Sequence, residues 1–188
     1  MAAAPTGRTS QNGWPASPRG ADIGIVTVAV PLRSGTKTMQ VASRAAPALT
    51  EIVQWWDANV EPVTTLGSYN YREIRGYEGS NTISNHGSGT AIDINASKHP
   101  LGATNTVSAL TAARITAKAA SLGLRWGGNY RSRKDAMHFE VIFAPTAAAM
   151  VQRATGVAST AAKVWWWSSV VGLSVISVWW LYQRQRRP

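Results

Sequence analysis

The sequence predicts an α+β domain: a small, mostly antiparallel sheet with flanking helices, followed by one apolar helix near the C-terminus. Three observations support that fold class. Short segments with a two-residue apolar period recur between residues 23 and 143, and two longer ones show the helical period instead. Strands and helices do not alternate in a βαβ rhythm, which disfavours a parallel sheet. With 188 residues and no internal repeats, the chain suits one domain of ordinary size.

Residues 1–21 are rich in Pro, Gly, Ser and Ala, show no apolar period and read as a flexible leader. They lack the continuous apolar stretch of a secretory signal. Residues 23–30 carry alternating β-branched side chains, so a strand is expected there, ended by Pro31. After a polar turn at 34–37, residues 39–41 can pair back as a second short strand. Residues 45–56 place Leu49, Ile52, Val53 and Trp56 on one side of a helix. Residues 63–66 suggest another strand, the Gly/Ser/Asn-rich 76–90 an active loop, and 90–95 a strand again. An Ala-rich helix is expected over 107–122, stopped by Gly123, and a strand over 138–143, stopped by Pro145. The domain is thus bounded at 22–145, with an Ala/Thr-rich linker at 146–163.

Residues 164–182 contain no charged side chain. As a helix this segment is about 28 Å long, against a hydrocarbon core of roughly 30 Å. Trp165, Trp166 and Trp167 at one end and Trp179, Trp180 and Tyr182 at the other form the aromatic-belt arrangement of a membrane span. Lys163 precedes the segment, and the basic tail 183–188 adds Arg184, Arg186 and Arg187. A single transmembrane helix is therefore expected, its arginine-rich end cytoplasmic by the positive-inside bias and the domain on the opposite side.

Nineteen Lys+Arg against nine Asp+Glu give a formal net charge of +10. That charge favours an anionic partner: nucleic acid, acidic lipid or acidic polymer. The basic residues are scattered and match no nucleic-acid-binding motif, so nucleic acid is not expected. The absence of cysteine excludes a disulfide scaffold, a thiolate metal site and a cysteine nucleophile. Any metal must be held by His, Asp or Glu, and there are three histidines.

Two of them sit in informative surroundings. In Ser84-Asn-His86-Gly-Ser-Gly89-Thr-Ala-Ile-Asp93-Ile-Asn95, strand alternation turns Ala91, Asp93 and Asn95 one way while Ile92 and Ile94 face the core. Gly87 and Gly89 let the loop fold His86 back toward Asp93. In Asp135-Ala-Met-His138-Phe-Glu140, His138 and Glu140 share a face while Phe139 and Val141 point inward. Two His and one Asp make a three-ligand zinc site with an open position, the pattern of a catalytic site. Zinc there lowers the pKa of water and polarises a carbonyl. Asp135 could take the water proton and return it to a leaving amine, and Glu140 could orient a ligand from behind. His99, followed by Pro100, lacks such surroundings and reads as a loop residue.

The segments SNHGSGTAIDIN and KDAMHFE resemble the two signature segments of the zinc D-Ala-D-Ala carboxypeptidase and L-alanyl-D-glutamate endopeptidase family, S-x-H-x(6)-D and [DE]-x-x-H. GLRWGGNY is similar to that family's approach to its second segment, and YNYREIRG to the arginine-containing segment before its first histidine. The resemblance implies a D-Ala-D-Ala metallopeptidase/hedgehog-like fold, zinc as the cofactor, ligands His86, Asp93 and His138, and Asp135 as catalytic acid/base. It places Arg72 on a substrate carboxylate or the developing oxyanion, with Arg75 a nearby rival and a surface pairing with Glu73 or Glu78 the alternative. Ser84 could hydrogen-bond substrate or simply hold the loop.

Asp rather than Glu at 135 is closer to the phage-type endopeptidases. The resemblance therefore implies a zinc peptidase acting on peptidoglycan stem peptides, most like a phage endolysin with L-alanyl-D-glutamate endopeptidase preference, its domain facing the cell wall. Two alternatives remain open: a host D-alanyl-D-alanine carboxypeptidase and a non-catalytic zinc-containing wall-binding module. The family does not account for the apolar tail, and the oligomeric state is undefined.

Overall fold

Two α-helices and two antiparallel sheets make up residues 8–142, the part of the chain that this computed structural model describes. Strand β1 (Ile25–Leu32) pairs with β2 (Gly35–Ala42) as a hairpin closed by Arg33 and Ser34. Pro31 does not end the strand as the sequence suggests; it pairs opposite Thr36 near the hairpin turn. Proline is tolerated on an edge because it lacks only a donor, and its carbonyl accepts from the Gln54 side chain at 3.2 Å.

Helix α1 (Ala46–Asn59) begins with Pro47 in its first turn and buries the expected stripe: Leu49, Ile52, Val53 and Trp56 are fully inaccessible. Asp57, also buried, works as a clamp. Its carboxylate accepts the Arg33 N–H at 2.8 Å and the Val63 N–H at 2.9 Å, tying the hairpin turn and the post-helix chain to the helix end. Burial works against its charge, but the two N–H donors and the Arg33 guanidinium outweigh burial and hold its carboxyl below the usual range.

The second sheet has the order β3 (Leu66–Gly67), β4 (Ala91–Ile94), β6 (His138–Val141), β5 (Leu124–Trp126), each pair antiparallel. The strand expected at 63–66 shrinks to two residues for a definite reason. Asn95, at φ 50° just past β4, accepts the backbone N–H groups of Thr64 and Thr65 on its side-chain oxygen, which takes them out of any ladder. Asn95 is therefore a buried structural residue and does not continue the face of Asp93. Strand β5 is too short to show a period, so it escaped the sequence. Helix α2 (Ala109–Ser121) is capped by Ser108, whose hydroxyl accepts the Thr111 N–H at 3.1 Å, and Gly123 follows at φ 67°.

The leader needs correction over its described part. Ser10, Trp14, Ala16 and Ser17 are buried, and Asn12 donates to the Thr90 hydroxyl and the Val141 carbonyl. Backbone and side-chain hydrogen bonds to distant residues hold this segment, and they leave no apolar period to detect. Among the described residues no helix is long and apolar enough to cross a membrane. The expected linker 146–163, transmembrane helix 164–182 and basic tail 183–188 lie outside them.

Replacing Asp57 by Ala leaves two buried N–H groups without an acceptor and should cost about 2–3 kcal/mol. Because the folded-state pKa of Asp57 is depressed, its contribution is present above the unfolded value of about 4 and is lost as pH falls through the folded one. Denaturant unfolding of wild type and Asp57→Ala at pH 7 and at pH 3 checks both points; a gap that fails to narrow in acid would remove the clamp from the account.

Candidate metal centre and active site

Sheet register delivers two of the three expected ligands. Strands β4 and β6 pair with Asp93 directly opposite His138, while Ile92 stands opposite Phe139 with both in the core. His86 arrives from a separate 3-10 turn, Asn85–Ser88, whose N-cap Ser84 accepts the His86 N–H at 3.3 Å. Gly89 ends that turn at φ 66°. A Cβ there would lie 2.3 Å from Ile25 Cδ1 and 2.7 Å from the Ala42 nitrogen, so only glycine lets β2 come this close.

The three donors converge. His86 Nε2 lies 3.1 Å from Asp93 Oδ1 and 3.3 Å from His138 Nδ1, and His138 Nδ1 lies 2.9 Å from Asp93 Oδ1. All three lie within 4.8 Å of one another. The outward nitrogens are committed elsewhere. His86 Nδ1 donates to the Ser68 carbonyl at 2.8 Å, and His138 Nε2 faces Glu140 Oε2 at 3.4 Å. Carbonyl and carboxylate can only accept, so these contacts keep protons on the outer nitrogens and leave Nε2 of His86 and Nδ1 of His138 to a metal. Two imidazoles and a carboxylate around one point fit zinc with a fourth position open.

Glu140 is the anchor behind His138. It accepts Arg125 Nε and the Tyr130 hydroxyl, both at 2.6 Å, and a very short hydrogen bond from Asn85 Nδ2. Burial opposes its charge, but His138, Tyr130 and Arg125 prevail and hold the carboxyl down at about 2. The Asn85 oxygen in turn accepts the Asn12 N–H at 3.0 Å, so the leader reaches the metal centre through Asn85 and Glu140. Asn85, Tyr130, Arg125, Asn12 and Ser68 had no role on sequence grounds. Asn85, Arg125 and Tyr130 lie inside the recognisable segments, yet nothing in spacing distinguishes them.

Asp93, Asp135, His86, His138, Arg72 and Ser84 all line one cleft of about 560 Å³. Asp135 is held by its backbone: its N–H donates to Gly127 O at 3.0 Å, and a Cβ on Gly127 would sit 2.4 Å from the Asp135 carbonyl. Its Oδ1 is buried without a hydrogen-bond partner among the described residues. Burial chiefly raises its pKa, with the Asp93 charge adding to the rise and His138 opposing it. An unengaged carboxylate poised above its ordinary range suits a group that takes and returns a proton. Arg72 also keeps a buried, unpartnered Nε, while its Nη1 donates to the Glu73 carbonyl at 3.1 Å. It forms no side-chain pair with Glu73 or Glu78. Ser84 both caps the His86 turn and lines the cleft. His99, expected as an unremarkable loop residue, does lie in a turn but is buried, edge-on to Trp56 and 3.2 Å from Glu61. It stands apart from the centre.

In the metal-free protein, burial opposes charge on His138, yet Asp93 and Glu140 together raise its pKa to about 10. Its charged form stabilises the fold fully below the unfolded value of about 6.5, and that contribution is lost as pH rises through the folded one. Zinc binding at neutral pH should therefore release about one proton from this ring. Titration calorimetry in buffers of different ionisation enthalpy checks this; identical heats in all buffers contradict it. Asn85→Ala should weaken zinc binding by about 10–100-fold while the metal-free protein stays folded, measured by chelator competition. Unchanged affinity would leave Asn85 as loop structure only.

Searches of curated proteins and of solved structures gave no significant match. A family model described as D-alanyl-D-alanine carboxypeptidase matches residues 78–141, a third of the chain. The matched stretch contains Ser84, His86, Asp93, Asp135 and His138 and stops short of Arg72. Over that stretch the chain is similar to the D-alanyl-D-alanine carboxypeptidase family.

Proposed function

We propose that the protein is a zinc-dependent peptidase cleaving peptidoglycan stem peptides, with the L-alanyl-D-glutamate endopeptidase preference of a phage-type endolysin. The observation that carries this reading is the meeting of His86, Asp93 and His138 within 4.8 Å on the wall of a cleft that also holds the unpartnered Asp135. Zinc, when bound by these three, supplies a Lewis acid for a peptide carbonyl and for water. The rest falls to the chain. Asp135 accepts the proton of the attacking water and returns it to the leaving amine. Arg72 offers its free Nε–H to the oxyanion or to a substrate carboxylate. Glu140, through His138, keeps that ring oriented.

The family description supports a second reading, a D-alanyl-D-alanine carboxypeptidase, which uses the same chemistry. The products separate the two: fragments cut after L-Ala against free D-Ala. A non-catalytic wall-binding module has no use for an unengaged carboxylate beside the ligands, which disfavours that alternative.

Mass analysis of purified peptidoglycan digested with and without chelator should show metal-dependent cleavage, restored by zinc. Asp135→Asn should lower kcat by about 10²–10⁴-fold with zinc content unchanged. The base works only when ionised, so the acid limb that Asp135 gives the wild-type pH profile should be missing from any residual activity of Asp135→Asn. Full hydrolysis by Asp135→Asn would sink the mechanism.

A further inference from the structure

Arg72, Arg75, Arg131 and Arg133 line the cleft together, and among the described residues none has a carboxylate within 4 Å. Arg125, also on that wall, is neutralised by Glu140 at 2.5 Å. The two acids nearest in sequence are engaged by backbone instead. Glu78 accepts the Gly76 N–H at 2.9 and 3.0 Å, and Glu73 accepts the Gly79 N–H at 2.5 Å. Glu78 is fully exposed and feels Arg133 and Arg72 only at a distance.

The arginines are also placed, not merely nearby. Arg133 lays its guanidinium against the Arg75–Gly76 backbone and donates to the Arg75 carbonyl. A Cβ on Gly76, which sits at φ 80°, would lie 2.9 Å from Arg133 Nη1. Loop 72–79 and loop 131–133 are thus joined at the cleft by a cation held over bare backbone. Arg72 keeps its unpartnered Nε, and burial, joined by the neighbouring Arg75 charge, lowers its pKa against the opposing pull of the more distant Asp93, Asp135 and Glu78.

A charge count of the cleft then leaves an excess. Five arginines line it against the three carboxylates of Asp93, Asp135 and Glu140; Glu140 is paired with Arg125, and the other four arginines form no ion pair, with Asp93, Asp135 and Glu78 acting on Arg72 only from longer range. Crowded guanidiniums facing a cavity are the arrangement that binds carboxylates bidentately.

We propose that Arg75, Arg131 and Arg133 form an anion subsite beside Arg72 that takes further carboxylates of the substrate, so that stem peptides with free acids beyond the scissile bond are preferred to amidated ones. The inference rests on the peptidase reading for the identity of its ligand, but its test does not depend on turnover. The probe is the dipeptide γ-D-glutamyl-meso-diaminopimelate, compared with the same dipeptide amidated at the glutamyl α-carboxyl and one diaminopimelyl carboxyl. Neither has the scissile bond, so both can be titrated calorimetrically into the zinc-loaded full-length protein.

The acid form should bind about tenfold or more tightly than the amide, the size of one charge-assisted pair. Arg75→Gln and Arg133→Gln should each reduce that gap to about threefold or less. Arg133→Lys, which keeps the charge, should retain part of it, and Arg131→Gln, at an exposed side chain whose loss does not threaten the fold, should also narrow it. Equal binding of the two probes, no binding of either, or a gap indifferent to all the substitutions overturns the subsite. If the acid dipeptide binds as described while no stem peptide is cleaved, the peptidase reading fails and the subsite stands.

Discussion

The arrangement turns on one carboxylate. Asp93 Oδ1 lies 3.1 Å from His86 and 2.9 Å from His138, in surroundings where His86 is almost inaccessible. Burying charge unpaired costs several kcal/mol per ion, so each of these groups is tolerable only while the others stay in reach. Three separate pieces of chain must therefore arrive together: the 3-10 turn, β4 and β6. The apolar core enforces this. Ile92 and Ile94 on β4 and Phe139 and Val141 on β6 are all buried, and a slip of one residue would turn them into the cleft and carry Asp93 and His138 into the core. The hydrophobic pattern that gives the sheet its register also sets the metal ligands side by side.

Behind the ligands a second set of contacts converts a tolerable cluster into an oriented one. Glu140 is the hub, and its four partners come from four places: Asn85 from the His86 turn, Arg125 from β5, Tyr130 from the Gly127–Asn129 turn's end, and His138 from its own strand. The charge of Glu140 is answered by Arg125, which frees His138 to serve a metal without leaving a buried anion behind. Asn12 extends the set to the leader. A Pro/Gly/Ser-rich segment with little to bury can still be essential when it supplies hydrogen bonds that the strands leave unmade, here to Thr90, Val141 and Asn85.

This division explains what the sequence disclosed. The stripe of Leu49, Ile52, Val53 and Trp56 was legible because burial repeats with the helical period, and the alternation about Asp93 and His138 because strands have period two. The ligand set was legible because few residue types can hold zinc in a chain without cysteine. What escaped depends on single contacts between distant residues. Asn95 ends a strand expected at 63–66 by taking its backbone donors, Asp57 ties a hairpin turn to a helix end, and Asn85 gains meaning only from Glu140. His99 looked isolated because Trp56 and Glu61, its partners, lie about forty positions upstream. None of these contacts leaves a period or a spacing.

The metal centre is not what folds the domain. The apolar core runs from Val30 and Met39 through Trp56 to Phe139 and Leu124 without using any of the three ligands, and the Asp57 and Asn95 clamps lie away from the cleft. Where zinc is structural, a small domain lacks such a core and is unfolded without metal. Here the ligands are prepositioned by register, capped by Ser84 and oriented by Glu140, and a proton on His138 can stand where the metal's charge would. A ligand set on which the apolar core does not rely can leave one coordination position open to water and substrate. That separation of core from ligand set is what the proposed catalytic role requires. It also leaves Asp135 unpartnered at little structural risk, its backbone fixed by Gly127 while its carboxylate remains available.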